Sequence, residues 1–202
     1  LALGVGDGDC VVVYDASAPG LMSAARVWWM LRAFGHHNVA VLDGGLRKWK
    51  AEGRALTDAP APARTPRPLS SRLDRRLVRS LEEMRALVAA GNGQIADARG
   101  AGRFEGREPE PRPGLRGGHM PGARNVPFAT LLRPDGTLKP AAELRAVFQS
   151  AGIDVDRLPL DLNRIRRELK EAPPDSESRD GLKLRYFLQI FDSEATEIRW
   201  RV

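Results

Sequence analysis

The sequence predicts an α/β protein built on parallel sheet with helices on both faces, present as two partial domains and followed by a tail of different texture. Three observations carry this. Short apolar runs alternate with helical patterns over residues 11–53, the order that produces parallel strands joined by right-handed crossovers. A proline- and arginine-rich stretch without periodicity then interrupts the chain. A second strand and helix alternation follows it. These features divide the chain into residues 1–54, a linker over 55–71, a second unit over 72–157, and a tail over 158–202.

Val11-Val12-Val13-Tyr14 reads as a short buried strand. Asp15–Gly20 is a loop. Leu21–Phe34 is a predicted helix, because Val27, Leu31 and Phe34 recur at helical spacing with Met30 beside them, and Gly35 follows in the stop position. Val39–Leu42 is a second buried strand. Asp43-Gly44-Gly45 is a tight turn, Leu46–Glu52 a short helix, and Gly53 its stop. The linker holds Pro60, Pro62, Pro66 and Pro68 and is expected to be extended.

In the second unit, Ser80-Leu81-Glu82-Glu83 is a capping box that opens a helix ending at Gly91. Gln94–Asp97 is a strand. Arg99–Gly122 is a long loop rich in Gly, Pro and Arg, and loops of that length are usually functional or disordered. Arg124–Val126 is a short strand. Pro140 starts a helix that runs to Ser150, with Gly152 as its stop. Beyond Leu158 the pattern changes: Asp161 caps a predicted helix through Lys170, Pro173-Pro174 breaks it, and Lys183–Ile190 and Thr196–Val202 are candidate strands.

Composition narrows the function classes. The chain has 202 residues, 42% of them hydrophobic, enough to bury a real core. Mean hydropathy is −0.36, and no apolar run is long enough to cross a bilayer, so no membrane partner is expected. The one cysteine cannot form an internal disulfide, so the cytoplasm is the expected compartment. Leu1 and the Gly/Asp-rich start suggest entry partway through a domain, and the chain is expected to be a fragment incomplete at both ends.

The net charge is +6. The densest basic stretch is Arg64, Arg67, Arg72, Arg75, Arg76 and Arg79. No aromatic interleaves it, whereas base-stacking proteins need aromatics there, so nucleic acid is not an expected partner. His36 and His37 are neighbours without a further Cys or His at ligand spacing, and no metal or other cofactor is implied. Trp28, Trp29 and Trp49 read as core and groove residues. Cys10 reads as a small apolar filler.

Two stretches carry a family resemblance. VVVYD with ARVWWMLRAFGHHNVAVLDGGLRKWKAEG, within residues 11–53, resembles the second half of the first, non-catalytic domain of tandem rhodaneses. DARGAGRFEGREPEPRPGLRGGHMPGARNVPF, within residues 77–157, resembles the first half of their catalytic domain, and its PEPR segment is most like the 3-mercaptopyruvate enzymes. The resemblance implies transfer of sulfane sulfur from 3-mercaptopyruvate or thiosulfate to a thiol or cyanide acceptor. The implied partners are therefore a small-molecule sulfur donor and a thiol acceptor.

By motif match, Arg103 and Arg112 are the implied substrate-binding residues. A guanidinium is a planar fork of donors that suits a carboxylate or carbonyl. Paired to Glu105, Glu108 or Glu110 instead, the same arginines would be ordinary loop residues. Asp97 and His119 are implied supports of the loop. Asp15 stands where the catalytic half would carry its cysteine.

The family's chemistry runs through a cysteine persulfide. After Ala151–Arg157 the resemblance implies a strand and a cysteine loop, but the chain continues LPLDLNRIRRELKEAPP. No catalytic residue is therefore assigned, and the chain is expected to be inactive. The alternative is a non-catalytic anion-binding or protein-interaction module that uses the arginine loop. The two halves also invite a single permuted sheet in which they complement each other.

Overall fold

The computed structural model describes residues 4–16, 21–60 and 62–156. They form two compact units: Leu1–Arg76 with Leu132–Leu138, and Leu77–Leu131 with the chain from Lys139. The division at Arg76 lies inside the sequence-derived second unit, and residues 132–138 group with the first. The predicted helix after Asp161 and the predicted strands Lys183–Ile190 and Thr196–Val202 lie outside the described residues.

In unit 1, β1 (Val11–Val13) and β2 (Val39–Val41) pair in parallel, with Val11 opposite Val39. The crossover between them is α1 (Met22–Ala33). Its buried face is Ala24, Trp28, Arg32 and Ala33. The two alanines allow close approach to the strands, and the Trp28 indole donates to Val39 O at 3.2 Å. The side chain of Asp15, just after β1, accepts from Ser23 N in the first turn of α1 at 2.8 Å. A short helix, α2 (Gly45–Ala51), follows β2.

The helix read from Val27, Leu31 and Phe34, with Met30 beside them, is present as α1, and Val27, Met30 and Phe34 of that stripe are exposed, at 39%, 42% and 47%. Helical periodicity defines a stripe but not the side that meets the sheet. One expectation for this unit needs correction. The run Val11–Tyr14 is not wholly buried: Val12 and Tyr14 are each 58% exposed. β1 is covered on one face, so its residues alternate.

The described residues of 55–71 hold no helix or strand, yet their second half is not a free spacer. Asp7 N donates to Pro68 O at 3.0 Å. Ser70 donates to the Asp7 carboxylate through its backbone N–H at 2.9 Å and its hydroxyl at 2.6 Å. Arg67 pairs with Asp9. Gly6 makes this docking possible. A Cβ there would lie 2.7 Å from Arg67 Cβ and 2.9 Å from the Pro68 carbonyl oxygen. Gly6→Ala is therefore expected to lift the segment, at a cost of about 1–3 kcal/mol. Limited proteolysis with trypsin checks this: cleavage after Arg64 and Arg72 should accelerate in the variant, and an unchanged rate would refute it.

In unit 2, α3 (Leu81–Ala90) begins at the Ser80 capping box. Glu83 N donates to Ser80 Oγ at 3.2 Å, and Ser80 N donates to the Glu83 carboxylate at 2.6 Å. β3 (Ile95–Asp97) and β4 (Ala123–Asn125) pair in parallel, with Ile95 opposite Ala123. Within the stretch read as one loop stands a single helical turn, α4 (Ala101–Phe104). Met84, Ile95 and Ala123 form a core against which Leu87, Val88, Phe104 and Met120 pack. α5 (Ala141–Ser150) adds Leu144 and Phe148, with Ile153 and Val155 buried beyond it.

β1 pairs with β2 and β3 with β4, in separate two-stranded sheets among the described residues. The single permuted sheet is thus ruled out. Each half keeps the strand pairing that its own crossover dictates, because local parallel pairing avoids closing a longer loop.

Candidate functional site

Asp97 ends β3 with its side chain buried, 8% exposed. Strands that end in short polar residues hand the chain to a loop, and here the loop turns back at once. Arg99 N donates to Asp97 Oδ1 at 3.0 Å. The Arg99 side chain folds onto the same carboxylate: its Nε lies 2.9 Å from Oδ1 and 3.0 Å from Oδ2, and its Nη2 lies 2.5 Å from Oδ2. That is the two-point fork that a guanidinium makes with a carboxylate. From below, Asn125 in β4 donates its amide to the carbonyls of Asp97 (3.0 Å) and Arg99 (2.9 Å).

Arg99 then reaches across the loop. Its Nη2 donates to Gly118 O at 2.8 Å, and its Nη1 donates to Glu110 Oε1 at 2.6 Å. The other Glu110 oxygen takes Arg103 Nη2. One carboxylate thus bridges two arginines. The Glu110 side chain is 7% exposed, that of Arg99 13% and that of Arg103 20%. The bond from Arg103, with Arg99 beside it, holds the Glu110 carboxyl below the usual carboxylate range. The forked bonds from Asp97 push Arg99 up, further from any loss of its proton.

The glycines of the loop make the closure tight. Gly106 adopts φ 75°, and a Cβ there would come within 3.2 Å of Gly118 N. His119 lies flat on Phe104, with ring centroids 3.7 Å apart and planes 9° apart. Its Nδ1 is 2.8 Å from Phe104 O. A carbonyl only accepts, so Nδ1 carries the proton and donates it.

The four residues named from sequence are therefore placed as follows. Asp97 and Arg103 belong to one connected cluster, joined through Arg99 and Glu110. His119 braces the turn that carries Arg103, through Phe104. Arg112 lies between Pro111 and Pro113 and is exposed. Arg103 is paired to Glu110, the loop-residue arrangement that the sequence had left open. Sequence reading missed Arg99 as a site residue, although DAR at the end of a predicted strand was visible. Its role arises from a contact nineteen positions away, at Gly118, which local pattern does not reveal. No group of three or more acidic, His or Cys side chains suited to a metal occurs among the described residues. None of their helices is long and apolar enough to cross a membrane.

Comparison with known proteins places these features. Residues 2–52 match the family model described as a rhodanese-like domain. The 3-mercaptopyruvate sulfurtransferase of Homo sapiens is 44% identical over 158 residues, covering 77% of this chain and 52% of that protein. The thiosulfate sulfurtransferase of Cricetulus griseus is 41% identical over 157 residues, with the same two coverages. Among solved structures, the 3-mercaptopyruvate sulfurtransferase SseA of Escherichia coli matches with a TM-score of 0.67 and 36% identity, over 77% of this chain and 56% of that one. The chain spans about half the length of the curated relatives that it matches.

Proposed function

The chain belongs to the rhodanese family, and from that premise we propose that its arginine loop binds the donor of a sulfurtransferase reaction. The reaction is transfer of sulfane sulfur from 3-mercaptopyruvate or thiosulfate to a thiol or cyanide. Arg103 and Arg112 hold the carboxylate and carbonyl of the donor, with Asp97 and His119 supporting the loop. The cytoplasm is the compartment of this reading. In this reading the chain binds a donor without relaying its sulfur, because its one cysteine, Cys10, precedes β1 in unit 1.

One observation carries the proposal. Arg103 presents a partly open guanidinium on a loop whose backbone is fixed by Asp97, Arg99 and Glu110. A preorganised fork spends little conformational entropy when it meets a carboxylate.

The test uses pyruvate, which keeps the carboxylate and carbonyl of the donor without its sulfur. Isothermal titration should show pyruvate binding by the full chain. A charge-assisted hydrogen bond is worth about 1.5–3 kcal/mol, so Arg103→Ala should weaken binding by roughly 10- to 100-fold. Equal affinity in the variant, or no binding by either protein, would reject the reading.

A further inference from the structure

Arg103 stands on α4, a helix of only four residues. One turn of helix is a poor scaffold for a side chain that must aim, since it carries few internal hydrogen bonds of its own. What fixes the guanidinium must come from elsewhere. A chain of contacts does so: β3 ends in Asp97, Asp97 grips Arg99, Arg99 grips Glu110, and Glu110 grips Arg103. Glu110 also sits between Pro109 and Pro111. Proline fixes φ and restricts the residue before it, so the backbone that delivers this carboxylate is stiff.

Resting on the donor-binding reading above, we propose that Glu110 and Arg99 are positioning residues: Glu110 bridges the two arginines and sets the Arg103 fork for an incoming carboxylate. Glu110 is thus a permanent strut. Both of its oxygens are engaged, and swinging it away would leave an almost buried Arg99 without half of its counter-charge, a costly state. Arg103 Nε is also buried, without a hydrogen-bond partner among the described residues. A donor left in that condition marks a guanidinium clamped by its neighbours rather than one free to seek solvent.

The charges make the proposal sharp. Asp97 and Glu110 balance Arg99 and Arg103, so the cluster is neutral. Glu110→Gln would make it positive. If Glu110 only competed with the ligand for Arg103, the variant would bind an anion more tightly. If Glu110 positions Arg103, the variant binds more weakly despite the added positive charge.

The experiment measures pyruvate affinity by titration and, separately, the Nε–H resonance of Arg103 in ¹⁵N-arginine-labelled full chain. Assignment comes from the peak lost in Arg103→Lys. In the parent chain that resonance should be protected from solvent exchange. In E110Q it should exchange rapidly, and pyruvate affinity should fall about tenfold or more. Tighter or unchanged binding in E110Q, or an Nε–H that stays protected, overturns the proposal. If the parent chain fails to bind pyruvate, the donor-binding reading falls, and the resonance alone still decides whether Glu110 clamps Arg103. If E110Q does not fold, Arg99→Lys provides both readings, because lysine keeps the charge but cannot make the fork.

Discussion

Phe148→Ala is expected to remove about 3–5 kcal/mol from unit 2, a large share of what a small domain has to lose. Phe148 has no exposed surface, and with Leu144 and Ile153 it is one of the largest fully buried side chains among the described residues. It lies near the end of α5, where the Phe148 carbonyl also accepts from Ile153 N at 2.9 Å. The chain turns there and brings Ile153 and Val155 back into the core. Deleting the ring would lose its transfer energy and leave a cavity, because helix and turn are joined by backbone bonds and cannot close freely on the gap. Urea unfolding followed by far-UV circular dichroism measures the loss. Val27→Ala is the matching control: with Val27 39% exposed on α1, it should shift the midpoint little. A Phe148 variant that behaves like the Val27 variant would mean that this core is not what holds unit 2 together.

The contrast between those residues also marks what the sequence could reveal. The Ser80–Glu83 capping box is legible because all its atoms lie within one turn. Most strands and helices, and their order over residues 11–53 and 80–152, were legible for the same reason: periodicity and stop signals are local; the single turn α4, inside the stretch read as a loop, was not. The outward stripe of Val27, Met30 and Phe34 was not, because a stripe has no sign until a sheet is placed against it. The docking of residues 67–70 on residues 6–9 was not, because the partners are about sixty positions apart and their match depends on a missing Cβ at Gly6. In the candidate site, family likeness pointed to Arg103 through its motif. It did not point to Arg99, and Glu110 was named only as one possible partner of the arginines; both owe their place in the cluster to how the loop closes on itself. Motif and spacing pick out single side chains more readily than the contacts that tie them together.

Incubation of this chain with 3-mercaptopyruvate and a thiol is expected to release no sulfide above the buffer control, and incubation with thiosulfate and cyanide no thiocyanate. Either route needs a thiolate to take the sulfane sulfur and pass it on as a persulfide. A thiolate does this well where an electropositive setting, such as the start of a helix, lowers its pKa. The 202 residues contain one cysteine, Cys10, which is exposed and precedes β1 in unit 1. The position after β1, facing the start of α1, is taken by Asp15, whose carboxylate already accepts the Ser23 N–H. A carboxylate there can hold the helix start in place but cannot form a bond to sulfane sulfur that is later released to a thiol. The unit that carries the arginine loop, proposed above to bind the donor, therefore has no cysteine of its own. Sulfide or thiocyanate production that disappears in Cys10→Ser would defeat this conclusion and make Cys10 the sulfur carrier. Donor binding without either product would leave the chain as a holder of the donor anion.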